Sequence, residues 1–364
     1  MKQHDSLYRP WVDRTARHIP DQVWRLRYLQ TVSPPLRSPS HQIVKVFAVS
    51  ALCAFLLGAV PRHSHISAAG PKIPVAIPTL AATTTASPVP NVWTVETTRD
   101  YDVYSNGLRI ENRYATSNHP RSYRAFPLRS GSADRADLRT DPAGIVFHTT
   151  ESLQAPFDAS QNAVLKRVSE SLAEYVRRRR AYNFLIDRFG RVYRIVREDH
   201  AANHAGHSIW ADDSSVYIDL NDSFLGVSFE AETAVLPGAE KVNPAQVRAG
   251  AILTEMLRSR YQIPARNCVT HAQVSVNPTN FRIGYHTDWA SSFPFQRLGL
   301  PDNYTLSLPA ITLFAFTYDS TFFEHAGDRL AAAAQQSPQP PREPSRRWYH
   351  QLAHARTLPQ PSAE

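Results

Sequence analysis

Apolar and polar positions alternate with different periods along the middle of this chain, and the periods mark its elements. Gly144-Ile145-Val146-Phe147-His148-Thr149 is a short, almost wholly apolar run, suited to a buried strand. Over residues 161–180, Val164, Leu165, Val168, Leu172, Tyr175 and Val176 recur at helical spacing. The run Arg177–Arg180 closes that helix, where cations suit the negative end of the backbone dipole. Tyr182–Asp187 and Arg191–Val196 read as strands joined through Arg188-Phe189-Gly190 in a hairpin, and Phe224–Glu230 as another strand. Asn243-Pro244 supplies an N-cap and first turn for a helix to about Tyr261, with Val247, Leu253, Met256 and Leu257 facing inward. Strands and helices mixed in one region predict an α/β (α+β) architecture, one sheet with helices against it.

The ends follow a different rule. Residues 1–42 are polar and carry seven Lys/Arg against three Asp. Val46 to Val60 then runs for fifteen residues without a charge, and residues 43–61 read as a signal-anchor or a signal peptide. Residues 62–92, rich in Pro, Thr and Ala, read as an extended stalk. Residues 93–143 carry Trp93, Tyr101, Tyr104, Tyr114, Tyr123 and Phe126, enough aromatic content for an ordered extension, perched over a substrate cleft in one reading. Beyond residue 300, an apolar extension over 301–333 is expected to pack onto the domain. The Pro-, Gln- and Arg-rich stretch 334–364 is expected to be a disordered tail.

Composition narrows the chemistry only slightly. The chain has 364 residues and a net charge of +8, which favours anionic partners; no nucleic-acid motif is present, so nucleic acid is not an expected partner. Two cysteines, Cys53 and Cys268, lie in unrelated segments and offer neither a disulfide framework nor a Cys-rich metal site.

Histidine is the more informative residue. His148 ends the first strand, His271 follows the last long helix, and His286 and Asp288 follow closely; imidazole nitrogen and carboxylate oxygen are the donors of a catalytic Zn²⁺. His200, His204 and His207 form a rival set.

Six segments in order, GIVFHTTES, YNFLIDRFGRVYRI, HAGHSIW, NDSFLGVSFEAE, THAQVSVNP and DWASSFPF, resemble the type-2 N-acetylmuramoyl-L-alanine amidases, relatives of peptidoglycan recognition proteins and of phage lysozyme-type amidases. The resemblance covers about residues 144–300. It implies one Zn²⁺ on a single mixed β-sheet flanked by helices, with His148 and His271 as ligands. The third ligand is Asp288, counted back from Phe293-Pro294-Phe295, or alternatively His286. With Asp288 as ligand, His286 stands where many members have a lysine near the scissile bond and becomes the oxyanion partner. The resemblance further implies Glu230 as general base, although Ser228 stands where a second acidic residue is usual. Tyr182 matches a tyrosine at the centre, His204 a substrate-side histidine, and Asn221 an asparagine that binds the stem peptide or forms an Asx-turn.

The implied reaction is zinc-dependent hydrolysis of the bond between N-acetylmuramic acid and L-alanine of peptidoglycan. A non-catalytic peptidoglycan-binding module and a zinc hydrolase of another amide remain alternatives. The expected partners are peptidoglycan and, through the N-terminal helix, a membrane. The expected location is the cell envelope, anchored with the domain outside the cytoplasmic membrane, or secreted if the N-terminal segment is cleaved. Oligomeric state is not legible.

Overall fold

The computed structural model describes residues 89–128, 136–152, 154–233, 241–319 and 321–357. The basic lead, the apolar block 43–61 and most of the stalk lie outside the described residues, as does Cys53. Among the described residues, no helix is long and apolar enough to cross a membrane.

The chain enters through three short strands, β1 (Thr94–Thr97), β2 (Tyr101–Tyr104) and β3 (Arg109–Glu111), followed by β4 (Tyr123–Pro127) and β5 (Asp137–Arg139). The apolar run is β6 (Gly144–Thr149), buried at all six positions. After it come helix α1 (Asn162–Arg179), the hairpin β7 (Phe184–Ile186) and β8 (Val192–Arg194), and then β9 (Ile209–Ala211), β10 (Ser215–Ile218) and β11 (Phe224–Phe229). Helix α2 (Pro244–Tyr261), strand β12 (Cys268–Thr270) and the one-turn α3 (His271–Val274) complete the central part. Strand β13 (Arg282–Ile283), α4 (Pro309–Thr312), β14 (Thr317–Tyr318), α5 (Phe322–His325), α6 (Asp328–Gln336) and α7 (Arg342–Thr357) follow.

The main sheet has eight strands in the order β1-β2-β3-β8-β7-β11-β6-β12. It is mixed: β7, β11, β6 and β12 run parallel up to one edge, formed by β12, and β1, β2 and β3 extend the other as an antiparallel edge. Strands buried on both faces need no alternation, which is why β6 and β11 read as continuous apolar runs. The hairpin forms as expected: Leu185 pairs with Tyr193, Gly190 takes φ +75°, and the Asp187 carboxylate accepts from the amides of Phe189 and Arg191.

Two features depart from the sequence reading. The main sheet is not alone: β5-β4-β10-β9 form a second antiparallel sheet, and β13 pairs with β14. Within 93–143, β1, β2 and β3 extend one edge of the main sheet, and β4 and β5 supply half of the second. The tail expected to be disordered carries α7, and Tyr349, Leu352 and Ala355 bury their side chains in the main core with Phe314 and Phe316. Tyr349, Leu352 and Ala355 follow one another at intervals of three residues, so they share one helix face. That stripe is enough to dock a helix that is otherwise Arg- and His-rich.

Helix α2 begins on a capping box: Gln246 N–H donates to Asn243 Oδ1 at 3.0 Å, and Asn243 N–H donates to Gln246 Oε1 at 3.2 Å. The Asn243 side-chain amide also donates to the Arg188 carbonyl at 2.7 Å, tying the helix start to the hairpin turn. Asn243→Ala is expected to cost about 1 kcal/mol, read as a lower urea midpoint with an unchanged m-value; an unmoved midpoint would remove the cap from the account of stability.

Candidate metal centre

Parallel pairing decides what meets at the sheet's carboxyl edge. Thr270 of β12 pairs with Phe147 of β6, so the next residue on each strand, His271 and His148, stand side by side, ring centroids 4.5 Å apart. Loops beyond the carboxyl ends of parallel strands are where open α/β sheets collect their ligands. The loop after β13 brings Asp288 against both rings. Its Oδ1 lies 2.9 Å from His271 Nδ1 and its Oδ2 lies 3.1 Å from His148 Nδ1. Asp288 is held there by its neighbours: its carbonyl accepts from Ala272 N–H, and buried Trp289, at φ +56°, packs on Phe229 and Phe293. Tyr304 Oη donates to the Trp289 carbonyl at 2.7 Å.

The trio suits a metal ion. One ligand atom from each residue lies within 4.8 Å of the others, and all three residues are buried. Ligands about 2.0–2.2 Å from a tetrahedral zinc lie roughly 3.3 Å from one another, close to the 2.9 and 3.1 Å seen here. The electrostatics favour unprotonated donors. Burial, then the charge of His271, pulls His148 down to about 4. Burial works to raise the Asp288 carboxyl, but His271 and His148 together hold it well below the usual carboxylate range. Among the described residues no other group of histidines, cysteines or carboxylates is brought together in this way. The rival histidines take separate partners, His200 with Asp199 and His207 with Asp219.

The other expected site residues divide. His286 stacks on His271, ring centroids 4.4 Å apart at 19°, beside the trio and not in it. Tyr182 lies 5.1 Å from the His148 ring, ring centroid to ring centroid, with its backbone at φ +63°, a conformation that costs a bulky residue energy and recurs at active sites. Burial and then the Asp288 charge raise its phenol above the ordinary range.

Glu230 stands further along the strand. Register sets Ser228 beside His148. Glu230 lies two residues further, roughly 6.6 Å along the strand, and its carboxylate accepts from Ser169 Oγ of α1 at 2.7 Å and from the Arg188 amide at 3.2 Å. Burial raises its pKa.

His204 and Asn221 make contacts within the chain, Asn221 in the loop-forming manner that is one of its two expected roles. Asn221 Oδ1 accepts from the amides of His204 at 2.9 Å and Ala205 at 2.7 Å, so it holds a loop. The His204 ring is buried between His148 and the Phe224 carbonyl.

Two residues escaped the sequence reading. Lys241 sets Nζ 5.7 Å from the Trp289 ring centroid; burial lowers its pKa, with Glu151 and Asp288 pulling the other way. Glu151, at φ +51°, accepts from the Thr149 and Thr233 hydroxyls beside the ligand strand. Glu151 was within reach of inspection, three residues past His148; nothing local marks Lys241.

Residues 138–288 match the family model described as N-acetylmuramoyl-L-alanine amidase. No curated protein matches the chain. Among solved structures, the chain is similar to the N-acetylmuramyl-L-alanine amidase AmiD from E. coli in complex with the substrate anhydro-N-acetylmuramic acid-L-Ala-D-gamma-Glu-L-Lys, at 21% identity and a TM-score of 0.32, over 43% of this chain and 56% of that one. It is similar to a selenomethionine derivative of AmpD at 20% identity and a TM-score of 0.31, over 51% of this chain and 93% of that one. It is also similar to the Drosophila peptidoglycan recognition protein SD at 16% identity and a TM-score of 0.29, over 46% of this chain and 85% of that one.

Proposed function

Because residues 138–288 form a domain of the N-acetylmuramoyl-L-alanine amidase family, we propose that this protein hydrolyses the amide bond between N-acetylmuramic acid and L-alanine in peptidoglycan, with a zinc ion held by His148, His271 and Asp288. The observation that carries the reading is the buried trio at the carboxyl edge of the sheet, two imidazole nitrogens and a carboxylate oxygen mutually within 4.8 Å. Three protein ligands leave one position of a tetrahedral ion for water or substrate. The chemistry supplied by bound zinc is Lewis acidity, which polarises the amide carbonyl and brings the pKa of a water toward roughly 7.

The chain's own groups do the rest. Tyr182, its phenol raised by burial and by Asp288, keeps its proton at neutral pH and sets its ring beside that of His148. A donor so placed stabilises charge as it develops on the carbonyl oxygen. His286, stacked on His271, is the second group at the rim of the trio. The reading carries a location with it: peptidoglycan lies in the cell wall, so the domain acts outside the cytoplasmic membrane.

The test is digestion of purified peptidoglycan by the full chain. New N-terminal L-alanine, lost on dialysis against a chelator and restored by zinc, is the expected result. Release of reducing sugar without it would point to a glycosidase. Binding to the wall without any cleavage would point to a recognition module.

A further inference from the structure

His148 has two ring nitrogens, and the donor trio uses one of them. Nδ1 faces Asp288, while Nε2 lies 3.1 Å from Nδ1 of His204. His204 in turn sets its own Nε2 3.2 Å from the carbonyl oxygen of Phe224. A carbonyl only accepts, so the His204 proton sits on Nε2, and Nδ1 of the neutral ring is an acceptor. The proton between the two rings then belongs to His148 Nε2. At Nδ1 the ring faces the ionised Asp288 carboxylate, which also only accepts, so without a metal both ring nitrogens face an acceptor; a cation between Nδ1 and Asp288 takes the Nδ1 lone pair, and the ring's proton then belongs on Nε2.

His204 is itself held from three sides. Its ring lies on Gly226 of β11, where any side chain would put Cβ 2.6 Å from the His204 Cγ. Asn221 fixes its backbone through two amide hydrogen bonds. The Phe224 carbonyl that receives its proton also accepts from Arg121 at 3.1 Å. Arg121 belongs to the segment before residue 138, so part of this support comes from outside the region that matches the family.

We propose that His204 is a positioning residue: its hydrogen bond to His148 Nε2 sets the tautomer and ring orientation that present His148 Nδ1 to a bound metal ion. The inference rests on the metal reading above, but the acceptor at His148 Nε2 belongs to the protein alone. Partners of this kind behind a ligating histidine typically change metal affinity about 10–100-fold.

Two measurements test it. In the uniformly ¹⁵N-labelled, zinc-loaded full chain, imidazole nitrogen shifts should place a proton on His148 Nε2, with nitrogen–nitrogen coupling across the hydrogen bond to His204. A proton on His148 Nε2 with no coupling to His204 would overturn the proposal without any variant having to fold. In zinc titrations, His204→Ala should bind about 10–100-fold more weakly, and His204→Asn, whose Oδ1 reaches the place of Nδ1, should recover most of the loss. Equal affinity in His204→Ala and the parent chain would also overturn it. If the parent chain binds no zinc, the metal reading fails, and nitrogen–nitrogen coupling between His148 and His204 in the metal-free chain still decides whether the two rings are joined.

Discussion

Asp288→Ala binds no zinc under conditions that load the parent chain, and its amide hydrolysis falls by roughly 1000-fold or more. The size follows from two quantities. A bound zinc supplies several kcal/mol of charge stabilisation in the transition state, and about 1.4 kcal/mol is a factor of ten in rate. Asp288 is the donor that spans both imidazoles, with one oxygen on each, so its loss leaves two neutral rings and no anion to hold a divalent cation. His286→Ala is the contrast. Its ring stacks on His271 but stands outside the trio, so metal content stays near one per chain while the rate falls. Elemental analysis of both variants beside the parent separates the roles. Loss of zinc in His286→Ala with retention in Asp288→Ala would exchange them.

The parts of this molecule that were legible in its sequence are those whose signal is local. β6 and β11 are apolar because each is covered on both faces; α2 is announced by Asn243-Pro244 and begins there; the β7–β8 turn is set by Asp187 and Gly190. The illegible parts depend on pairing across long separations. β4 pairs with β10, residue 126 opposite 216, and strands this short carry no period that reveals a distant partner. Helix α7 has a stripe through Tyr349, Leu352 and Ala355, but prolines before it and arginines within it suggested a chain unable to bury enough apolar surface. The site shows the same division. His148, His271 and Asp288 sit in recognisable segments, whereas the direction of the Glu230 carboxylate is decided by Ser169 on α1, 61 positions away in sequence. The role of His204 could not have been read from its segment either, because it is defined by what lies on each side of the ring.

Arg121→Met should destabilise the chain by about 3–5 kcal/mol, because it leaves several buried carbonyl oxygens without their donor at about 1–3 kcal/mol each. The guanidinium is 2% exposed and has no carboxylate on it. It donates instead to four carbonyls: Nε to Glu198 at 3.0 Å, Nη1 to Asp222 at 2.7 Å and Phe224 at 3.1 Å, and Nη2 to His200 at 3.0 Å. Burial pulls its pKa down to about 10, which still leaves it charged at neutral pH. Methionine fills similar space and removes the cost of burying a charge, but it leaves those oxygens without their donor, at about 1–3 kcal/mol for each one fully orphaned. The carbonyls belong to the 198–200 turn, to Asp222 and to the start of β11, where the Phe224 oxygen also receives the His204 ring. The loss should therefore reach the metal centre. Denaturant unfolding should show the stability change, and zinc titration of the still-folded variant should show weaker binding in the same direction as His204→Ala. Arg121→Lys keeps the charge and loses the planar fork, so an intermediate value is expected. A change below about 1 kcal/mol in Arg121→Met, within reach of an ordinary surface substitution, would mean that the segment before residue 138 decorates the domain and does not brace its centre.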